Sequence, residues 1–247
     1  MRCLPVLAAL LFLSAAAPSP EAKPAPKAEE SAKNRIAVLY FEYTGKNEDL
    51  FVLRKGLAQM LATDLANSGQ IRVIERLRLQ EILDELKLTQ SRKFDPATTA
   101  KIGKLLGVQY LVLGDFYEAQ GKFVVHASTT DVETAEHKGD VYVTGKTDEF
   151  LELEQKVAAG LIEKIAKLVP PPPAAPEKSG ANAPATPGDR PKAAPQKLAM
   201  QTAVKYSKAL DAIDRKDKET AKKELEAVVK EQPDFKLAAN ELSALML

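Results

Sequence analysis

The chain contains no tryptophan and a single cysteine, Cys3. One thiol cannot close an internal disulfide, and it leaves no cysteine-based zinc site. With aromatic residues at only 6%, a core must be built mainly from Leu, Ile, Val and Ala. There are two histidines, His126 and His137, eleven positions apart. They fall toward the middle and the turn of a predicted hairpin, so the spacing does not favour a shared metal, and polar, partly solvated rings are expected. Neither sign of charge prevails, since 35 basic residues stand against 34 acidic ones. That balance lacks the basic footprint of a nucleic-acid or anionic-membrane binder and reads as a salt-bridged surface.

Catalytic signatures are missing too. The first strand-to-helix loop holds Thr44-Gly45-Lys46-Asn47. It has one glycine and no Gly-Lys-Ser/Thr, so it is not a phosphate cradle. No nucleophile elbow surrounds Ser128 or another serine. The sequence predicts a non-catalytic protein with no cofactor and no bound metal.

What the chain does have begins with an export pattern. Arg2 precedes an apolar run over residues 4–13, followed by the small residues Ser14, Ala15, Ala16 and Ala17. This is the layout of a cleavable signal peptide. The run is far shorter than the ~20 residues a membrane-spanning helix needs. Pro18 disfavours cleavage just before it, so a cut after Ala16 or near Ala22 is expected. Residues 1–22 are assigned to the signal peptide and residues 23–34, rich in Pro, Ala, Lys and Glu, to a disordered leader. Cys3 precedes the apolar run, whereas a lipid-acceptor cysteine follows one, so lipidation is not expected. The mature chain is expected in the periplasm or at the outer membrane, with no transmembrane segment.

Residues 36–41 form a continuous apolar run, the pattern of a buried parallel strand. Phe51, Leu53, Leu57, Met60, Leu61 and Leu65 recur at helical spacing, with Asp49 as cap and Gly69 as stop. Ile71, Val73 and Ile74 give a second short strand and complete a βαβ unit. A second helix is predicted over residues 77–88, and a third from Asp95-Pro96 to Gly107. Residues 110–114 read as another buried strand. The period then drops to two: Phe123, Val125 and Ala127 alternate with Lys122, Val124 and His126. Turns are expected at Gly121 and Gly139, and Val141-Tyr142-Val143 makes a short last strand. A final helix over residues 148–168 buries Phe150, Leu153, Val157, Leu161, Ile165 and Leu168. The predicted fold class is α/β, a three-layer-like mixed sheet in the order β-α-β-α-α-β-β-β-α over residues 35–169.

Residues 170–195 hold nine prolines and predict an extended, semi-rigid linker with a reach of ~80 Å. Residues 196–247 turn helical again. Ala199, Ala203, Tyr206, Leu210 and Ile213 share one face, and Ala221, Leu225, Val228 and Val229 another, with Asp217 near the turn between them.

Three segments carry a family resemblance. They are Arg35-Ile36-Ala37-Val38-Leu39 with Phe41, Val73-Ile74-Glu75-Arg76 leading into Leu79-Gln80-Glu81-Ile82-Leu83, and residues 100–107 leading into Tyr110-Leu111-Val112-Leu113-Gly114. In that order and spacing they resemble the CsgG-like family of envelope proteins, whose best-known member is the curli secretion channel, and the N-terminal domain of the TolB family. The resemblance covers about half of the chain. It implies a periplasmic α/β domain engaged in assembly, export or envelope organisation. Its implied partners are envelope or secretion-machinery proteins, with a homo-oligomer as a candidate assembly. Channel members also carry a lipid-acceptor cysteine and long hairpins that build a membrane barrel. Neither is expected here, because residues 121–131 lack a lipid-facing apolar band and the last strand is short. In the tail, Ala209, Ala221, Leu225 and Pro233 resemble a single tetratricopeptide repeat, with Tyr206 and Lys216 at its usual aromatic and glycine positions. One such unit cannot bury a stack by itself, so Tyr206, Leu210 and Ile213 are candidate partner contacts.

Ligands of open α/β sheets gather beyond the C-terminal ends of strands. Tyr43, Thr44, Gly45 and Asn47 follow the first strand, and Glu75 and Arg76 the second. These six form the candidate partner or ligand surface, although helix capping and surface ion pairing is the plainer role for Glu75 and Arg76. The functional expectation is an accessory or scaffold protein in the assembly or export of envelope components. A small-molecule or glycan-binding periplasmic module is the alternative.

Overall fold

The computed structural model describes residues 35–88, 94–169 and 198–246. The expected signal peptide, leader and proline-rich linker lie outside the described residues. The fold is α/β, built on a six-stranded mixed sheet in the order β3-β1-β4-β5-β6, with β2 beside β4. The strands are β1 (Arg35–Val38), β2 (Glu42–Tyr43), β3 (Arg72–Val73), β4 (Tyr110–Ala119), β5 (Lys122–Asp131) and β6 (His137–Lys146). β1 runs parallel to both β3 and β4, and β4, β5 and β6 are antiparallel. The helices are α1 (Leu53–Asn67), α2 (Arg76–Glu85), α3 (Pro96–Leu106) and α4 (Phe150–Ile165), then α5 (Met200–Asp214), α6 (Lys218–Glu231) and α7 (Lys236–Leu245) in the tail.

The continuous apolar run of residues 36–41 is central and buried, with Ile36, Leu39 and Phe41 fully covered. Only its first half is β1; the chain then re-enters the sheet as β2, parallel to β4. Asn47, not Asp49, caps the next turn, its side chain accepting from the Asp49 N–H at 3.2 Å. That turn is a short 3₁₀ segment ahead of α1. Asp95 caps α3 by accepting from the Thr98 N–H at 3.0 Å, and Gly107 closes it in the left-handed conformation.

The hairpin strands are longer than expected. β6 has ten residues rather than three, because its ends carry Gly, Lys, Asp and Thr, which periodicity does not mark as strand. The turn ahead of β6 is held by Asp131, whose carboxylate accepts from the Glu133 and Thr134 N–H groups at 2.9 Å each. Gly139 is therefore not a turn. It lies inside β6 beside a register shift at Thr129/Thr130, with the Lys164 side chain of α4 packed over it.

Alternation along β4–β6 makes two unlike faces. Phe116, Phe123, Val125 and Val141 point toward α4, where Phe123 meets Phe150 edge-on at 5.4 Å. The other face carries Leu111, Leu113 and Asp115 on β4, paired with Thr130, Ser128 and His126 on β5. α3 covers one end of that face, with Gly103 against Leu111 and Val132. Toward the hairpin end Tyr142 is 71% exposed.

The tail is part of the same core. Leu198, Ala203, Tyr206, Leu210, Leu225 and Val228 are buried in one hydrophobic cluster with the sheet and its helices. α5 packs along α1. A Cβ on Gly56 of α1 would collide with Ser207 Oγ of α5, so the glycine sets how closely the two helices approach. α1 is consequently buried round much of its circumference: Leu57 and Leu61 are fully covered, and Lys55 and Gly56 are buried too.

Candidate functional site

The six residues expected at the sheet's C-terminal edge divide into two groups. Tyr43, Gly45 and Asn47 close upon one another. The Tyr43 hydroxyl accepts from the Asn47 N–H at 2.9 Å, its ring lies 5.1 Å from that of Phe116, and Gly45 sits so close that a Cβ would strike the phenol. The Thr44 N–H donates to Phe116 O at 3.0 Å, while its side chain is exposed. These contacts brace the loop between β2 and α1.

Glu75 and Arg76 lie elsewhere, at the start of α2, in a cleft of ≈ 340 Å³ shared with Gln59, Leu77, Ile213, Glu241, Ala244 and Leu245. One tail candidate, Ile213, therefore joins two sheet-edge candidates, while Tyr206 and Leu210 are fully buried beneath. Their burial arises because the tail folds back on α1; Tyr206 packs edge-on against Phe235 at 5.1 Å. They offer no free surface to a partner.

Arg76 is not a surface ion-pair former. Its guanidinium donates to Asp214, whose side chain is only 2% exposed. Lys55 Nζ of α1 donates to the same carboxylate at 2.9 Å and to Asp211 at 2.7 Å. Two cations from the α/β domain thus converge on two carboxylates of α5. The Tyr40 hydroxyl donates to Gln80 Oε1 at 2.7 Å on the same side, and burial, then the charge of Asp214, pushes its pKa up. Burial likewise raises Glu241 against the pull of Arg76. Such a buried cluster holds the tail in one geometry, because separating it would leave unpaired charge.

A second concavity had no motif to announce it. A groove of ≈ 720 Å³ runs over the open face of β4 and β5 and under the start of α3. Leu111, Leu113, Phe94 and Val132 supply its apolar surface, and Glu42, Asp95, Asp115 and Asp131 its carboxylates. At its hairpin end His126 sits between two strands' acids. Nδ1 lies 3.0 Å from Asp115 of β4, and Nε2 lies 2.9 Å from Asp140 of β6. The Tyr142 ring stacks on the imidazole at 4.2 Å. Two ionised carboxylates can both accept only if both ring nitrogens carry protons, so the geometry describes an imidazolium. Partial burial opposes that charge, but the hydrogen bonds to Asp140 and Asp115 outweigh it, and the pKa rises. With both nitrogens engaged, His126 has none left to serve a nucleophile. His137 also lines the groove but pairs across from Thr130, well along the hairpin from His126. No group of three His, Cys, Asp or Glu side chains placed to hold a metal ion together occurs among the described residues. None of their helices is long and apolar enough to cross a membrane.

Residues 19–119 match the family described as curli production assembly/transport component CsgG. The Tol-Pal system protein TolB of Pseudomonas aeruginosa is 27% identical over 134 residues, covering 53% of this chain and 27% of that protein. The chain thus spans about a quarter of that relative's length. Among solved structures, the LpoB C-terminal domain from Escherichia coli is similar at 15% identity and a TM-score of 0.38, over 46% of this chain and 82% of that one. Lipoprotein GNA1162 from Neisseria meningitidis is similar at 12% identity and a TM-score of 0.41, over 54% of this chain and 96% of that one.

Proposed function

We propose that this chain, CsgG-like over residues 19–119, is a non-catalytic accessory or scaffold protein of the bacterial cell envelope, acting in the assembly or export of envelope components. The family match carries the reading, since the matched residues contain β1, β3 and β4 together with α1, α2 and α3. The occupied nitrogens of His126 support a role without acid–base chemistry. The partners are envelope or secretion-machinery proteins, or further copies of the chain, and they meet the α/β domain. The tetratricopeptide-like tail then acts by bracing that domain.

Fractionation by osmotic shock, with intact-mass measurement, tests the location. The expected result is a periplasmic or outer-membrane chain shortened at its start by cleavage after Ala16 or near Ala22. A cytoplasmic chain that retains its first residues would overturn the reading. Photocrosslinkers at the exposed positions Leu77 and Tyr142 test the partner class. Adducts with envelope proteins or with a second copy are expected, and adducts confined to cytoplasmic proteins count against it.

A further inference from the structure

β6 is the last strand on its side of the sheet, and among the described residues no strand pairs along its outer edge. We propose that this edge is the contact between two copies of the chain, β6 pairing antiparallel with its counterpart about a two-fold axis at Val143. The inference specifies the copy-to-copy contact named in the reading above and rests on that part of it.

An open edge strand presents backbone N–H and C=O groups to any strand that can lie beside it. Here the usable length is bounded at both ends. A register shift disturbs β6 beside Gly139, and such irregularities end regular pairing. At the other end the 3₁₀ turn Thr147–Glu149 leaves the sheet. Between them residues 140–146 run in unbroken register with β5, and Val143 is the midpoint. An antiparallel pair centred on Val143 therefore uses the whole stretch.

The charges of that stretch select the partner and its direction. Asp140 and Lys146 stand at its two ends, both exposed. By strand alternation both lie on the face opposite the α4-facing Val141. Antiparallel pairing about Val143 sets Asp140 opposite Lys146 of the second copy, twice over. Parallel pairing over the same span would set each charge against its like.

Neither charge is satisfied within the chain. Lys146 makes no ion pair or hydrogen bond with a described residue, and its cross-strand neighbour on β5 is Lys122. Like charges directly opposite destabilise a sheet, and a carboxylate arriving beside Lys146 relieves them. Asp140 accepts from His126 Nε2 through one oxygen at 2.9 Å. That bond fixes the carboxylate, whose side chain remains 45% exposed, and its other oxygen is unbonded among the described residues. The same register lays the exposed ring of Tyr142 beside Thr144 of the second copy. No position in the stretch then meets a like charge.

Analytical ultracentrifugation of the full chain over a concentration series is the test, and a monomer–dimer equilibrium is expected. Lys146→Glu and Asp140→Lys each put like charges at both ends of the pair. Each should weaken the dimer by at least about tenfold. Mixed in equal amounts, the two variants bring opposite charges together again, and a heterodimer near the parent's affinity is expected. In a Cys3→Ser background, Val143→Cys should oxidise to a linked dimer. Facing residues of an antiparallel pair have Cα atoms about 4.5–5.5 Å apart, within disulfide reach. Leu77→Cys, at an exposed position on α2, should not link, and circular dichroism checks that every variant is folded. Four results would overturn the proposal: a monomer at every concentration, a dimer indifferent to the charge reversals, a mixture that fails to recover, or Leu77→Cys linking as fast as Val143→Cys. A monomer that fractionates with the envelope would remove this interface alone, whereas a cytoplasmic dimer would remove the envelope reading alone.

Discussion

At the scale of single residues, the side chain most at odds with its surroundings is Glu154. It lies on the stripe of α4 that includes Phe150, Val157, Leu161 and Ile165, and it is 1% exposed. Neither carboxyl oxygen has a hydrogen-bond partner among the described residues. Burial, then the charge of Asp64, raises its pKa well above the ordinary value, so folding favours its protonated form. The unfolded chain ionises this group above about pH 4.3, so its presence lowers stability progressively as pH rises from there toward the folded pKa. Glu154→Leu should stabilise the protein by roughly 1–3 kcal/mol at pH 7 and by much less at pH 4. Urea unfolding at the two pH values measures both, and a loss of stability at pH 7 would mean that the carboxyl serves a structural partner.

His126 behaves in the opposite sense. Its folded pKa is raised, so its contribution is complete below the unfolded value of about 6.5 and fades as pH climbs through the folded one. His126→Gln should cost stability at pH 5.5, and the difference from the parent should shrink by pH 9. An NMR titration reads the ring directly, and a midpoint at or below the ordinary histidine value would refute the two-carboxylate geometry. Neither residue's role was legible in the sequence. Glu154 breaks the very periodicity that identified α4, and the grouping of Asp115, His126 and Asp140 depends on strand register, which spacing alone does not supply.

At the scale of elements, helices were legible where one face alone is buried. α3 and α4 announced themselves by period, and Asp95 and Gly107 by capping chemistry. α1 was legible on its sheet-facing side, through Leu53, Leu57 and Leu61, but not on the side that meets α5. There the buried residues are Lys55 and Gly56, and a lysine reads as solvent-facing until its partners Asp211 and Asp214 are known. The seam between α1, α2 and α5 gives a direct test. Asp214→Ala leaves Lys55 and Arg76 buried with a shared acceptor gone, and should cost roughly 3–5 kcal/mol in chemical denaturation. A cost under about 1 kcal/mol, as for an exposed pair, would show the cluster to be solvated. Strand lengths were the least legible feature, because the ends of β5 and β6 owe their pairing to neighbours rather than to their own hydrophobicity.

At the scale of the whole molecule, the sequence suggested two bodies on a tether, since a proline-rich stretch usually separates domains. What it did not reveal is that the outer side of α1 needs covering. A chain ending after Val169 would uncover Lys55 and Gly56 and strip Arg76 of its acceptor. Such a fragment should melt at lower temperature and with weaker cooperativity than the full chain, and should bind a hydrophobic dye. Identical melting curves for fragment and full chain would show the tail to be an independent passenger.

The burial of Val169 and Leu198, the described residues on either side of residues 170–197, carries a consequence for chain continuity. The adhesion between the two described parts comes from the shared core and the ion cluster. If a protease site were engineered between residues 169 and 198 and cut after folding, the two halves should remain a nicked complex. They would co-elute on gel filtration and come apart only in urea.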